Sequence, residues 1–132
     1  MKGLVERFGE LIGYPERVPA GVVSFVFRVD DDPVEVRQRE GALVFKWTFP
    51  GNAPIERIAE FAAGRIPRDR AVVAWDAFRE RAILWQGTRK GAGERAQVEA
   101  FRLFLGSCDW WKRCIAELVQ PRATLAEIVI RP

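Results

Sequence analysis

The sequence predicts a single α+β domain over residues 1–132, an antiparallel sheet of about five strands with helices in the order α-β-β-β-α-β-β-α. Three observations lead there. Between residues 22 and 49, three segments alternate apolar and polar side chains with the period of two that a half-buried strand requires. The opening dozen residues and the proline-free stretch 92–120 carry helical periodicity instead. The strand-like segments are separated by turn residues so few that sequential neighbours must pair antiparallel.

Leu4, Val5, Phe8, Leu11 and Ile12 share one helical face, with Glu6, Arg7 and Glu10 on the other. Gly13, followed by Tyr14 and Pro15, supplies a left-handed cap and a residue that cannot continue the helix. A strand over 22–29 puts Val23, Phe25, Phe27 and Val29 on one side and Ser24 and Arg28 on the other. Residues 30–33, Asp-Asp-Asp-Pro, read as a turn. A second strand over 34–39 sets Val34 and Val36 against Glu35 and Arg37, and Glu40-Gly41 turns the chain again. The third, 42–49, is the clearest: Leu43, Phe45, Trp47 and Phe49 oppose Lys46 and Thr48. Pro50-Gly51-Asn52 breaks the sheet, Asn52 is the expected N-cap, and Ile55, Ile58, Ala59 and Ala62 form the stripe of a short helix ending at Gly64. Residues 71–75 and 81–86 read as two more strands around a turn at 76–80.

In the last helix, 92–120, the charges gather in one sector: Arg95, Glu99, Arg102, Asp109, Arg113 and Glu117. Val98, Phe101, Leu105, Cys108, Ile115 and Val119 face away from it, and Leu103, Trp110 and Cys114 form a second apolar side. So wide an apolar surface calls for cover beyond one face of a small sheet, from the first helix or a second subunit. Adjacent Trp110 and Trp111 point about 100° apart and do not both enter one ordinary core, so either one of them lies at an interface or both are partly covered inside the monomer. Pro121 stops the helix, and residues 121–132 read as an extra strand, a last helical turn or a tail.

Charge and cysteines bound the function. The net charge is +3, with −1 over residues 1–66 and +4 over 67–132. The basic residues are scattered, without a block of like charge, which argues against a nucleic-acid partner. The first helix lacks the unbroken apolar core of a signal peptide, and no run reaches the ~20 apolar residues that span a bilayer. A cytoplasmic protein with no membrane association is expected. Cys108 and Cys114 lie six apart on one helix and point differently, so they do not pair with each other.

Chemistry has little to work with. The chain has no histidine, which removes Ser-His-Asp and Cys-His catalysis and His-ligated metals. The run from Gly87 to Gly93 lacks the Gly-Lys-Ser/Thr ending of a phosphate loop and reads as a flexible connection. Asp30, Asp31 and Asp32 lack the further ligands of a cation loop and read as an exposed turn. Phe45, Trp47, Trp75 and Trp85 on strands are also the residues of a base-stacking platform, although alternating strand aromatics are more often core. No catalytic residue, metal site or cofactor is expected. Binding of another protein is the reading that remains.

The segments "LVERFGELIG", "AVVAWDAFRERAILWQ" and "VEAFRLFLGSCDWWKRCIAEL", in this element order, resemble the class I type III secretion chaperones, small dimeric proteins that escort effectors to the secretion apparatus. The resemblance covers about residues 1–119 and implies a non-catalytic homodimer that holds an extended segment of a secreted effector over apolar grooves, by strand addition and side-chain pockets. It implies effector binding at Val5, Phe8, Ile12, Phe25, Phe27 and Trp47, and a dimer interface at Ile55, Ile58, Phe61 and Trp110. Two departures stand out: the family is usually acidic whereas this chain is basic, and residues 121–132 extend past the usual closing helix. A non-secretory regulator or scaffold of the same fold is the alternative reading.

Overall fold

The computed structural model describes residues 2–65 and 70–119. Its elements are α1 (Leu4–Leu11), β1 (Ser24–Val29), β2 (Asp32–Arg39), β3 (Ala42–Thr48), α2 (Ile55–Arg65), β4 (Val72–Asp76), β5 (Arg81–Gly87) and α3 (Glu94–Val119). This is the order the periodicities predict. The expected strand, helical turn or tail over 121–132 lies outside the described residues.

The five strands form one antiparallel sheet in the order β1-β2-β3-β5-β4. Two hairpins make the first half. Asp30 and Asp31, at φ 50° and 66°, and Glu40 and Gly41, at φ 50° and 80°, form two-residue turns whose left-handed backbone matches the twist of the flanking strands. The first turn is tighter than the predicted 30–33, because Val29 already pairs with Asp32 and Pro33 sits in β2 opposite Arg28. Proline is tolerated there because β2 begins pairing with β3 only at Glu35. After β3 the chain leaves through α2 and returns as β4 at the far edge, and β5 then fills the gap between them. The second helix starts at Ile55, later than an Asn52 cap would place it, because Pro54 opens the first turn and its carbonyl accepts from the Ile58 N–H at 3.0 Å.

One face of the sheet is covered by helices, and there the aromatic residues meet. The ring of Phe8 on α1 lies 5.9 Å from Phe27, 5.6 Å from Phe45 and 5.1 Å from Phe101 of α3, with two of the three contacts edge to face. Phe104 continues the core over Phe45, and Trp111 reaches Phe49 at 5.2 Å. Gly9 allows α1 this close approach: a Cβ there would stand 2.6 Å from Val18 Cγ2 and 3.3 Å from Phe27. Ion pairs tie the layer together, Arg7 of α1 to Glu94 of α3 and Lys112 of α3 to Asp32 of the first hairpin. The polar sector of α3 is solvated as its charges predict, while Leu103, assigned to a second apolar side, is largely exposed.

Candidate interaction surfaces

Four of the six residues expected to touch an effector, Val5, Phe8, Phe27 and Trp47, are buried within this chain. They seal α1 and α3 onto the sheet, so a partner reaches them only if the helical layer lifts. Ile12 and Phe25 are half-buried at the margin, where Phe25 packs edge to face on Tyr14. Tyr14 also covers the outer edge of β1, its hydroxyl accepting from the Arg28 N–H at 3.0 Å. The residues expected at a dimer contact divide differently. Ile55 is 52% and Phe61 36% exposed on α2, whereas Ile58 between them is in the core. Trp110 is half-buried, 6.4 Å from Phe61 and edge to face with the buried Trp111, so the tryptophan pair splits into one core and one margin residue.

Beside α2, the sheet margin adds apolar surface that the sequence reading did not assign to a protein contact. Trp75 on β4 is 50% exposed and Phe78 at the β4–β5 turn is 101% exposed. Their signal was available: a phenylalanine inside an Asp-Ala-Phe-Arg-Glu turn has no strand face on which to hide. The turn is held by Asp76, whose Oδ1 accepts the N–H groups of Phe78 at 3.1 Å and Arg79 at 3.3 Å. Its Oδ2 lies 3.6 Å from Lys46 Nζ. Burial acts to raise the Asp76 pKa, but those backbone hydrogen bonds and the charges of Lys46 and Arg79 outweigh it and leave the carboxyl below 3.8.

The opposite face of the sheet carries no helix among the described residues. A cross-strand row runs its full width, Val26 opposite Glu35, Glu35 opposite Lys46, Lys46 opposite Trp85 and Trp85 opposite Val72. Val26, Trp85 and Val72 are exposed. Beside this row lies an open hollow of about 570 Å³, lined by Val26, Pro33, Glu35, Lys46, Thr48, Arg79 and Arg81.

The expected base-stacking platform does not assemble. Phe45 and Trp47 are buried, and Trp75 opposite Ala82 faces away from Trp85 opposite Val72, so the exposed indoles lie on different faces. Among the described residues no three of His, Cys, Asp and Glu come together to hold a metal ion. Asp32 and Asp109 are engaged by Lys112, the latter at 3.2 Å. Neither Cys108 nor Cys114 is in a disulfide, and burial pushes the Cys108 thiol up to about 12, so it is an inert apolar group at neutral pH. No helix among the described residues is long and apolar enough to cross a membrane.

The fold is shared with chains of two solved complexes. A chain of the HopA1–SchA chaperone–effector complex superposes with a TM-score of 0.64 at 11% identity, over 86% of this chain and 91% of that one. A chain of the ExsC–ExsE complex gives 0.60 at 14% identity, over 85% and 90%. No family model matches the sequence, and no curated protein matches it. At such low identity the likeness is one of fold, and it is the fold that the resemblance to type III secretion chaperones implied.

Proposed function

We propose that this protein is a type III secretion chaperone-like binder, which holds an extended segment of a secreted effector in the cytoplasm without catalysis and works as a homodimer. The observation that carries the reading is the fold shared along nearly the whole chain with chains of two solved complexes, one described as chaperone–effector. The exposed apolar margin formed by Ile55, Phe61, Trp75 and Phe78 supports a second copy, since scattered single apolar residues are ordinary on a surface but several large ones around one helix and its neighbouring hairpin are not. Ile58 would serve that contact from inside, by holding α2 to the core. On the effector side, Ile12 and Phe25 stay within a partner's reach, and Val5, Phe8, Phe27 and Trp47 would act by fixing the surface on which they stand. The test is affinity purification from the native host followed by identification of what co-purifies. Capture of a secreted substrate supports the reading; capture of only housekeeping or regulatory proteins, reproducibly and at stoichiometric levels, moves the assignment to a non-secretory scaffold.

A further inference from the structure

We propose that the hollow on the helix-free face of the sheet binds an acidic, extended segment of a partner protein. The inference rests on the reading of this chain as a binder of an unfolded segment and adds the chemistry of what is bound. Three cations approach the hollow from separate elements, Lys46 from β3, Arg79 from the β4–β5 turn and Arg81 from β5. Glu35 is the carboxylate among the lining residues, and it already accepts from Ser24 Oγ and from Arg37 Nε, both at 3.3 Å. Lys46 is matched by Asp76 at 3.6 Å. Among the described residues neither Arg79 nor Arg81 has a carboxylate at ion-pairing distance; Asp76, whose charge Arg79 feels at longer range, is already shared with Lys46, so the cations of the hollow outnumber the carboxylates beside them.

Arg81 reaches the neighbouring turn. Its guanidinium lies against the β3–α2 turn so closely that a Cβ on Gly51 would stand 1.8 Å from Nη1. A planar guanidinium fork matches a carboxylate with two parallel hydrogen bonds. The far wall is apolar, with Val26 49% exposed and Pro33 beside it. An extended chain suits this arrangement, because its alternate side chains can present carboxylates to the arginines while its intervening backbone crosses the sheet. The +3 charge of this chain attracts such a segment.

Fluorescence anisotropy of the full chain with a labelled peptide of about ten alternating glutamate and threonine residues tests the proposal, beside the lysine–threonine counterpart. The acidic peptide is expected to bind, the basic one to fail, and Arg79→Glu with Arg81→Glu to weaken binding at least about tenfold. Arg95→Glu with Arg102→Glu, an equal charge change on the solvated side of α3, should leave binding within about twofold of wild type. Equal affinity for both peptides, or equal effects of the two charge changes, overturns the proposal. So does an oligonucleotide that binds through the same arginines more tightly than the acidic peptide. Pull-down of the native partner separates this inference from its parent. If the double variant captures the partner as wild type does, the hollow is excluded and the chaperone reading stands. If acidic-peptide binding depends on both arginines while no secreted partner is ever captured, the hollow stands and the effector assignment falls.

Discussion

Phe8 decides between two pictures of α1. On a helix that merely rests over an open groove, a charge at this position would be tolerated. Here the ring is fully buried among Phe27, Phe45 and Phe101, so Phe8→Asp places a carboxylate where nothing can solvate it, at a cost of several kcal/mol. The variant is expected to lose its cooperative thermal transition by circular dichroism; a melt like that of wild type would show that α1 separates easily from the sheet. Gly9→Ala is the milder probe of the same seam. The added methyl meets a branched, stiff valine, and a loss of about 1–3 kcal/mol in a urea titration is expected. The i, i+4 spacing made the apolar face of α1 legible in the sequence. What it left open was whether that face is closed or open, because periodicity identifies a face without stating what lies against it.

At the scale of elements, α2 and the β4–β5 hairpin carry the exposed apolar side chains, and α2 can be probed without touching the core. Ile55→Asp and Phe61→Asp should each preserve the circular dichroism spectrum, since both side chains are already in contact with water. Each should shift sedimentation equilibrium from about twice the 15.0 kDa chain mass to the chain mass itself. A wild-type protein that sediments as a monomer removes the homodimer. A second element-scale contact is Lys112, joining α3 to the β1–β2 hairpin. The hydrogen bond from Lys112 to Asp32 raises the lysine pKa above 10.5, with burial opposing and Asp109 assisting. A raised lysine pKa means stability that is complete below pH 10.5 and is lost as pH climbs through the folded value. The pair is partly exposed, so Lys112→Met should cost no more than ~1 kcal/mol at neutral pH. Comparing its pH–stability curve with that of wild type should show the difference vanish at the alkaline end. Alternation revealed the first three strands, whereas Leu103, assigned to a second apolar side, is exposed and Phe104, left unassigned, is in the core, because α3 leans on the sheet with a face rotated slightly from the one its charges suggested.

For the molecule as a whole, net charge and its distribution set the expectations. The cations without a carboxylate at ion-pairing distance are scattered over the described residues, from Arg17 and Arg28 to Arg89 and Arg113, so binding to random oligonucleotides at physiological salt should be weak and should fall steeply as salt is raised. Sub-micromolar affinity that survives added salt would favour a nucleic-acid role. The sequence made the fold legible at this scale through element order, but strand order stayed out of reach. Nothing in the composition of β4 or β5 states which of them lies beside β3, since that choice is made by where α2 returns the chain.

That choice shapes how the chain is made. Val44 on β3 finds its partner only at Gly87, after α2 and the whole β4–β5 hairpin have been synthesised. Until then the first three strands can zip together from their two tight turns, fast and locally, while β3 leaves the ribosome with one edge bare and its apolar face of Leu43, Phe45 and Trp47 uncovered. Such an edge is the template on which nascent chains stick to one another. A ribosome paused before β5 would therefore present a nascent chain prone to aggregate, and slow translation through residues 50–80 should lower the yield of folded protein more than an equal delay placed after Gly87.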